Sequence, residues 1–124
     1  MTQAIVLFAH GARDPRWAEP FEAVAAQVRA AAPGRAVVLA FLELMRPTLA
    51  EATARLAVAG ATQIEVVPLF LGTGGHLRRD LPALVEAAQG AHPALAIRLH
   101  AAIGEHAAVV EAMARAAVAA ALGE

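Results

Sequence analysis

Two histidines stand where apolar runs break at glycine. His10 lies in Leu7-Phe8-Ala9-His10-Gly11-Ala12-Arg13, and His76 in Phe70-Leu71-Gly72-Thr73-Gly74-Gly75-His76. Glycine lets a backbone turn where a side chain would clash, so each histidine is expected at the mouth of a strand exit. A neutral imidazole binds divalent metals and accepts protons, with an unperturbed pKa of ~6.5. Two such ligands leave a structural zinc site incomplete, since that site normally has four protein ligands. The pair therefore implies transient metal binding, or a site completed by a substrate or a second subunit. Glu43, between Leu42 and Leu44 at the end of another apolar run, is a carboxylate that would accept protons or help desolvate a cation. Each of these residues also has a structural reading, as a strand-end histidine bonded to backbone or a solvated loop carboxylate. The repeated His-at-exit pattern favours the functional one.

Arg13, Arg16, Arg46, Arg78 and Arg79 are half of the chain's ten cations. All follow the first three apolar runs. Guanidinium pairs well with carboxylate or phosphate, so as a group they imply an anionic substrate. Asp80 reads as a helix-start charge favoured by the helix dipole. Structural roles suit His92, His100 and His106, although His100 ends a strand close to the same rim.

The elements that must position these residues alternate. Gln3–Ala9 is nearly continuous and apolar, as in a strand covered on both faces. Asp14 and Pro15 open a helix over 15–32, with Phe21, Val24, Ala25 and Val28 at helical spacing. Arg35–Leu42 is a second strand. Pro47 starts a helix with Leu49, Thr53, Leu56 and Ala57 inward, ended by Gly60. Gln63–Leu71 is a third strand, whose internal Pro68 requires an edge position or a bulge. A helix over His76–Gln89 puts Leu77, Leu81, Leu84, Val85 and Ala88 inward, with Pro82 disturbing its first turn and Gly90 ending it. Ala96–Ala101 is a fourth strand, and Glu105–Leu122 a long alanine-rich helix. The order βαβαβαβα implies an α/β fold, a parallel sheet with helices on both faces and right-handed crossovers. Ligands of such sheets bind beyond the carboxyl ends of the strands, where strand order reverses. His10, Glu43 and His76 share that rim.

Composition narrows the function. The 124 residues fit one domain, 1–124. A net charge of -1 argues against nucleic acid and against a basic membrane arm. No apolar stretch nears the ~18 residues of a spanning helix, and the N-terminus lacks signal-peptide features. A soluble, cytoplasmic protein is expected. There is no cysteine, hence no disulfide and no thiolate metal site. There is no lysine, hence no Schiff base and no P-loop. The first strand exit lacks the GxGxxG of a dinucleotide fold. It lacks the Arg-His-Gly of histidine phosphatases, because Ala9 stands in place of the arginine, and the acidic cluster of receiver domains.

On Leu7-Phe8-Ala9-His10-Gly11-Ala12-Arg13-Asp14-Pro15-Arg16, Phe41-Leu42-Glu43-Leu44, and Pro68-Leu69-Phe70-Leu71 through His76-Leu77-Arg78-Arg79-Asp80-Leu81-Pro82, the chain resembles the short, single-domain sirohydrochlorin cobaltochelatases. These are related to sirohydrochlorin ferrochelatases and anaerobic cobaltochelatases. The resemblance covers essentially the whole chain. Ala12 departs from the usual serine, which removes a hydroxyl but no proposed ligand. The resemblance implies a chelatase-like α/β fold and a histidine pair, His10 and His76, for metal delivery. Larger members have two such halves around one cleft, so a homodimer is expected to rebuild it.

The residues fit that chemistry. Inserting a metal into a tetrapyrrole requires a cation that sheds water, a base for two pyrrole protons, and a held, bent ring, the strain coming from remote binding energy. His10 and His76 would bind the substrate metal, Co²⁺ before Fe²⁺ or Ni²⁺, with Glu43 as helper and no permanently bound cofactor. Gly11, Arg13, Arg46, Gly74, Gly75 and Arg78 are the candidates for contact with the carboxylate-rich sirohydrochlorin. A non-enzymatic metal or tetrapyrrole carrier is the alternative. An inactive paralogue serving as half of a larger complex is a third reading.

Overall fold

A computed structural model describes residues 2–123. Four parallel strands, β1 (Gln3–Ala9), β2 (Ala36–Phe41), β3 (Gln63–Pro68) and β4 (Ala96–Leu99), form one sheet in the order β2-β1-β3-β4. The helices are α1 (Glu19–Ala31), α2 (Leu49–Val58), α3 (Gly75–Ala91) and α4 (Ala107–Leu122). Strand order reverses between β1 and β3, so the switch point lies between the strands that lead to His10 and His76.

The main core fills one face of the sheet. Val6, Phe8, Ile64 and Val66 pack there with Leu49, Ala52 and Leu56 of α2 and Leu81 of α3. On the other face Leu7 and Val37 meet Ala25 of α1. α2 begins with a capping box: the Thr48 hydroxyl accepts from the Glu51 N–H and the Glu51 carboxylate from the Thr48 N–H. No described helix is long and apolar enough to cross a membrane.

Several boundaries differ from the sequence expectation. The segment over 15–32 divides into a 3-10 turn, Pro15–Ala18, and α1 proper, since Pro20 supplies no N–H inside the first turn of α1. Asp14 caps that turn, accepting from the Arg16 N–H at 2.9 Å. Val24 faces solvent instead of the core. β3 stops at Pro68, short of Leu71. Pro68 is neither on an edge strand nor at a bulge. Val66 O accepts from the His100 N–H and Phe8 O from the Leu69 N–H, so the nitrogen of Pro68 faces the β4 side, where pairing has ended at Val66–Leu99. No donor is needed there. α3 starts at Gly75 and passes Gly90 to Ala91, and Leu84 is partly exposed. α4 forms within its expected range but covers neither face of the sheet, and none of its residues is buried.

Candidate functional site

The strand exits are stitched together by backbone. Beyond β1 and β2, the Leu42 N–H donates to Ala9 O at 2.8 Å and the Glu43 N–H to His10 O at 3.0 Å. Gly11 has φ +98°, and a Cβ there would lie 1.8 Å from Glu43 O. Only glycine fits both demands. The Met45 N–H closes on Glu43 O at 2.8 Å around Leu44, whose φ of 64° is unusual for a bulky residue. Glu43 is thus held on both sides of its carbonyl while its side chain is exposed. The exits of β3 and β4 are joined the same way. The Gly104 N–H donates to Phe70 O at 2.9 Å, and a Cβ at 104 would lie 1.9 Å from Leu71 O.

His10 is exposed at this rim, its ring edge-on to Phe70 with centroids 5.0 Å apart. Beside it an open depression of about 420 Å³ is lined by Gly11, Trp17, Phe21, Phe70 and Leu71. Trp17 and Phe21 stack with centroids 4.6 Å apart. In the sequence Phe21 stands out only by its helical spacing with Val24, Ala25 and Val28, and no spacing there singles out Trp17 or Phe70. The chain's one tryptophan, in the first turn after the His10 exit, was the available signal.

His76 lies in the first turn of α3, its side chain 98% exposed. Its Nδ1 is 3.7 Å from Asp80 Oδ2, one turn on, which is an ion pair only when the imidazole is charged. Among the described residues, no three His, Asp or Glu side chains gather closely enough to hold a metal ion. His10, Glu43 and His76 share a rim without forming a closed cage.

The rim arginines divide into two groups. Arg16 is paired with Asp14 at 2.9 Å and holds its carboxyl below the usual carboxylate range. Arg46 is paired with Glu51. Together with the Thr48 N–H it holds the Glu51 carboxyl down at about 2. Arg13, Arg78 and Arg79 are exposed and form no ion pair among the described residues. Gly74 and Gly75 need no special backbone. Neither has a positive φ, and a Cβ at either would meet nothing within 4 Å. Their absent side chains leave open space at the two positions that precede His76 in the chain, a correction to the expectation that these glycines are required by the turn. His100 is engaged away from His10 and His76, its Nε2 2.8 Å from Glu65 Oε1. Burial pushes the Glu65 carboxyl up, but hydrogen bonds from His100, Arg98 and Gln63 outweigh it and the net shift is downward. His92 and His106 occupy helix-cap positions.

Residues 4–120 match the sequence model of the CbiX family. Two curated relatives are the sirohydrochlorin cobaltochelatases of Methanopyrus kandleri and Saccharolobus solfataricus. Each is 38% identical, over 82 residues (66% of this chain, 57% of the relative) and 81 residues (65% and 62%), respectively. The chain thus spans only about three-fifths of these relatives' length. Among solved structures, the putative cobalamin biosynthesis CbiX protein of Marinobacter aquaeolei VT8 superposes with TM-score 0.85 at 37% identity, covering 98% of both chains. The sirohydrochlorin chelatase SirB of Bacillus subtilis subspecies spizizenii, in complex with cobalt, gives TM-score 0.81 at 31% identity, covering 93% of this chain and 49% of SirB. SirB of Bacillus subtilis with Fe³⁺ gives TM-score 0.80 at 30% identity, with 93% and 46% coverage. The parallel α/β fold, the histidine-bearing exits and a family match along nearly the whole sequence agree: the chain belongs to the CbiX family.

Proposed function

We propose that this chain inserts a divalent metal ion into sirohydrochlorin, with Co²⁺ as the physiological substrate and Fe²⁺ and Ni²⁺ as chemically compatible substitutes. The observation that carries this reading is the pair of open histidines after the two strands that flank the switch point. The similarity to named sirohydrochlorin cobaltochelatases supports the substrate, and a SirB relative binds cobalt.

In this reading His10 and His76 hold the incoming ion through neutral imidazoles and leave its other positions to water and then to the ring nitrogens. A ligand pair lets go more easily than a closed site of four. Glu43, fixed through its backbone to His10, accepts pyrrole protons as the metal enters. Arg13 and Arg78 pair with the carboxylates of the ring. Arg46, bound to Glu51, contributes only by giving up that partner. The aromatic wall of Trp17, Phe21 and Phe70 beside His10, with Gly11 at its margin, supplies a surface for the macrocycle, and the open space at Gly74 and Gly75 admits its edge. A second copy of the chain completes the cleft as a homodimer.

The test is anaerobic mixing of catalytic protein with excess sirohydrochlorin and, separately, Co²⁺, Fe²⁺ and Ni²⁺, following absorbance against protein-free controls. Metal-selective turnover beyond one equivalent is expected. A spectral shift that stops at one equivalent, with no acceleration by any metal, would instead identify a carrier.

A further inference from the structure

Leu44 occupies a backbone that does not suit it. The Glu43 N–H donates to His10 O, and two residues on the Met45 N–H donates to Glu43 O at 2.8 Å. Leu44 is the centre of that three-residue turn, with φ 64°. A turn closed from i to i+2 around a positive φ is the rare, strained form of the γ-turn. Glycine and asparagine enter the left-handed region readily, whereas a bulky residue there is an outlier. Both flanks impose the conformation. Glu43 is tied to the β1 exit, and Met45 packs on the cluster of Ala9, Ala18 and Phe41, as Trp17 and Phe21 do.

Packing does not offset the strain. Leu44 is 60% exposed and belongs to none of the apolar clusters among the described residues. A single exposed leucine is ordinary on a protein surface. A leucine that is both exposed and strained is not, because asparagine or glycine would suit the turn better and the core takes nothing from the side chain. Strained residues of this kind gather at active sites and ligand clamps.

The β3 exit presents a second leucine in the same manner. Leu71 is 66% exposed and lines the depression beside His10. Its main chain is pinned by Gly104, where a Cβ would lie 1.9 Å from Leu71 O. Leu44 follows Glu43 and Leu71 precedes the turn to His76, on the rim where ligands of parallel sheets bind. The exposed rim cations Arg13 and Arg78 suit carboxylates at the edge of a ring. Apolar side chains suit its flat faces.

We infer that Leu44 is a substrate-contacting residue of the insertion site: its side chain, with that of Leu71, packs on the face of the tetrapyrrole next to Glu43. The inference deepens the proposed function and rests on it for the identity of the ligand. The backbone already holds the side chain out from the rim, so binding orders little that was free before.

Leu44→Asn removes the apolar contact and relaxes the turn, and Leu44→Met keeps an apolar side chain on the same backbone. The chain's one tryptophan, Trp17, lies beside His10. Metal-free sirohydrochlorin titrated anaerobically into the full chain therefore reads binding through quenching of Trp17 fluorescence, without any turnover. For Leu44→Asn the urea midpoint should be unchanged or higher, and the mass by light scattering should be that of the native protein. Its Kd should rise on the order of tenfold, the fold-change for hiding roughly half of a leucine side chain. Leu44→Met should bind close to the native chain, as a volume-conserving swap. In the insertion assay KM for sirohydrochlorin should follow Kd, and KM for Co²⁺ should not move. A lower urea midpoint for Leu44→Asn would make the leucine structural and overturn the inference. A changed mass would overturn it by assigning Leu44 to a contact between copies, and an unchanged Kd would remove it from the site. A native chain that binds sirohydrochlorin without turnover sinks the insertion reading alone, because Leu44→Asn still reports the contact. A native chain that does not bind sirohydrochlorin refutes both.

Discussion

Gly11 and Glu43 meet backbone to backbone, so closely that a Cβ on residue 11 would lie 1.8 Å from the Glu43 carbonyl oxygen. One residue earlier, His10 O accepts the Glu43 N–H at 3.0 Å. The proposed metal ligand and the proposed base are therefore neighbours through the main chain. What holds their relative position is the missing side chain between them.

Gly11→Ala should lower stability by about 2 kcal/mol or more, because it combines a left-handed backbone with a collision against main chain that cannot rotate away. Gly104→Ala has no left-handed backbone to strain but meets the same kind of collision, against Leu71 O, and should also destabilise. Urea unfolding measures both. A change under ~0.5 kcal/mol, the range of an ordinary surface substitution, would mean that the exits are not joined as described.

Gly74 and Gly75 should give the opposite result. Gly75 opens α3 in unobstructed space, and alanine is favoured over glycine within helices by ~0.8–1.0 kcal/mol. Gly75→Ala should be neutral or mildly stabilising, and Gly74→Ala close to neutral. If the open space at these two residues admits the macrocycle, both should raise KM for sirohydrochlorin while leaving the unfolding midpoint unchanged or higher. Unaltered kinetics would remove these glycines from the binding surface.

Much of the fold was legible because its signals are local. β1 is a long apolar run between a polar start and His10, and the strand has the same ends as the run, Gln3–Ala9. The exit positions of His10, Glu43 and His76 followed from the same runs. Two kinds of information were not local. That Pro68 sits harmlessly in an interior strand depends on the pairing with β4 ending two residues earlier, at Val66, which no pattern in Gln63–Leu71 reveals. That α4 leaves the sheet depends on Gly104 being tied to Phe70, and the alanine-rich sequence of α4 looks the same covered or bare. Among the rim arginines, charge alone did not separate Arg46, already bonded to Glu51, from Arg78.

Acid should loosen the start of α2 before it affects the core. The Glu51 carboxyl is depressed to about 2 by Arg46 and the Thr48 N–H. A depressed carboxyl stabilises the fold above its unfolded pKa, and that contribution is lost as pH falls toward the folded value. The window is therefore from roughly 4.3, the ordinary glutamate value, down to about 2. Glu51→Gln should be less stable than the native chain at pH 6, and the difference should shrink through this window. A difference independent of pH would show that the carboxylate charge contributes nothing to the cap.

His10→Ala and His76→Ala should abolish insertion by different structural routes. The His76 side chain is almost wholly in solvent, so its loss should change stability by less than ~0.5 kcal/mol. His10 meets the edge of the Phe70 ring, a contact worth ~0.5–1.5 kcal/mol, so His10→Ala should be the slightly less stable of the two. Turnover should fall in both on the order of 100-fold or more, the scale of a lost proton-transfer group, with ligation lost besides. His10→Gln separates the roles, since an amide still reaches toward Phe70 but accepts no proton from a pyrrole. Recovered stability with absent turnover would assign His10 to the chemistry. Recovered turnover would show that the imidazole only props the rim, and the metal would then have to enter through His76 alone.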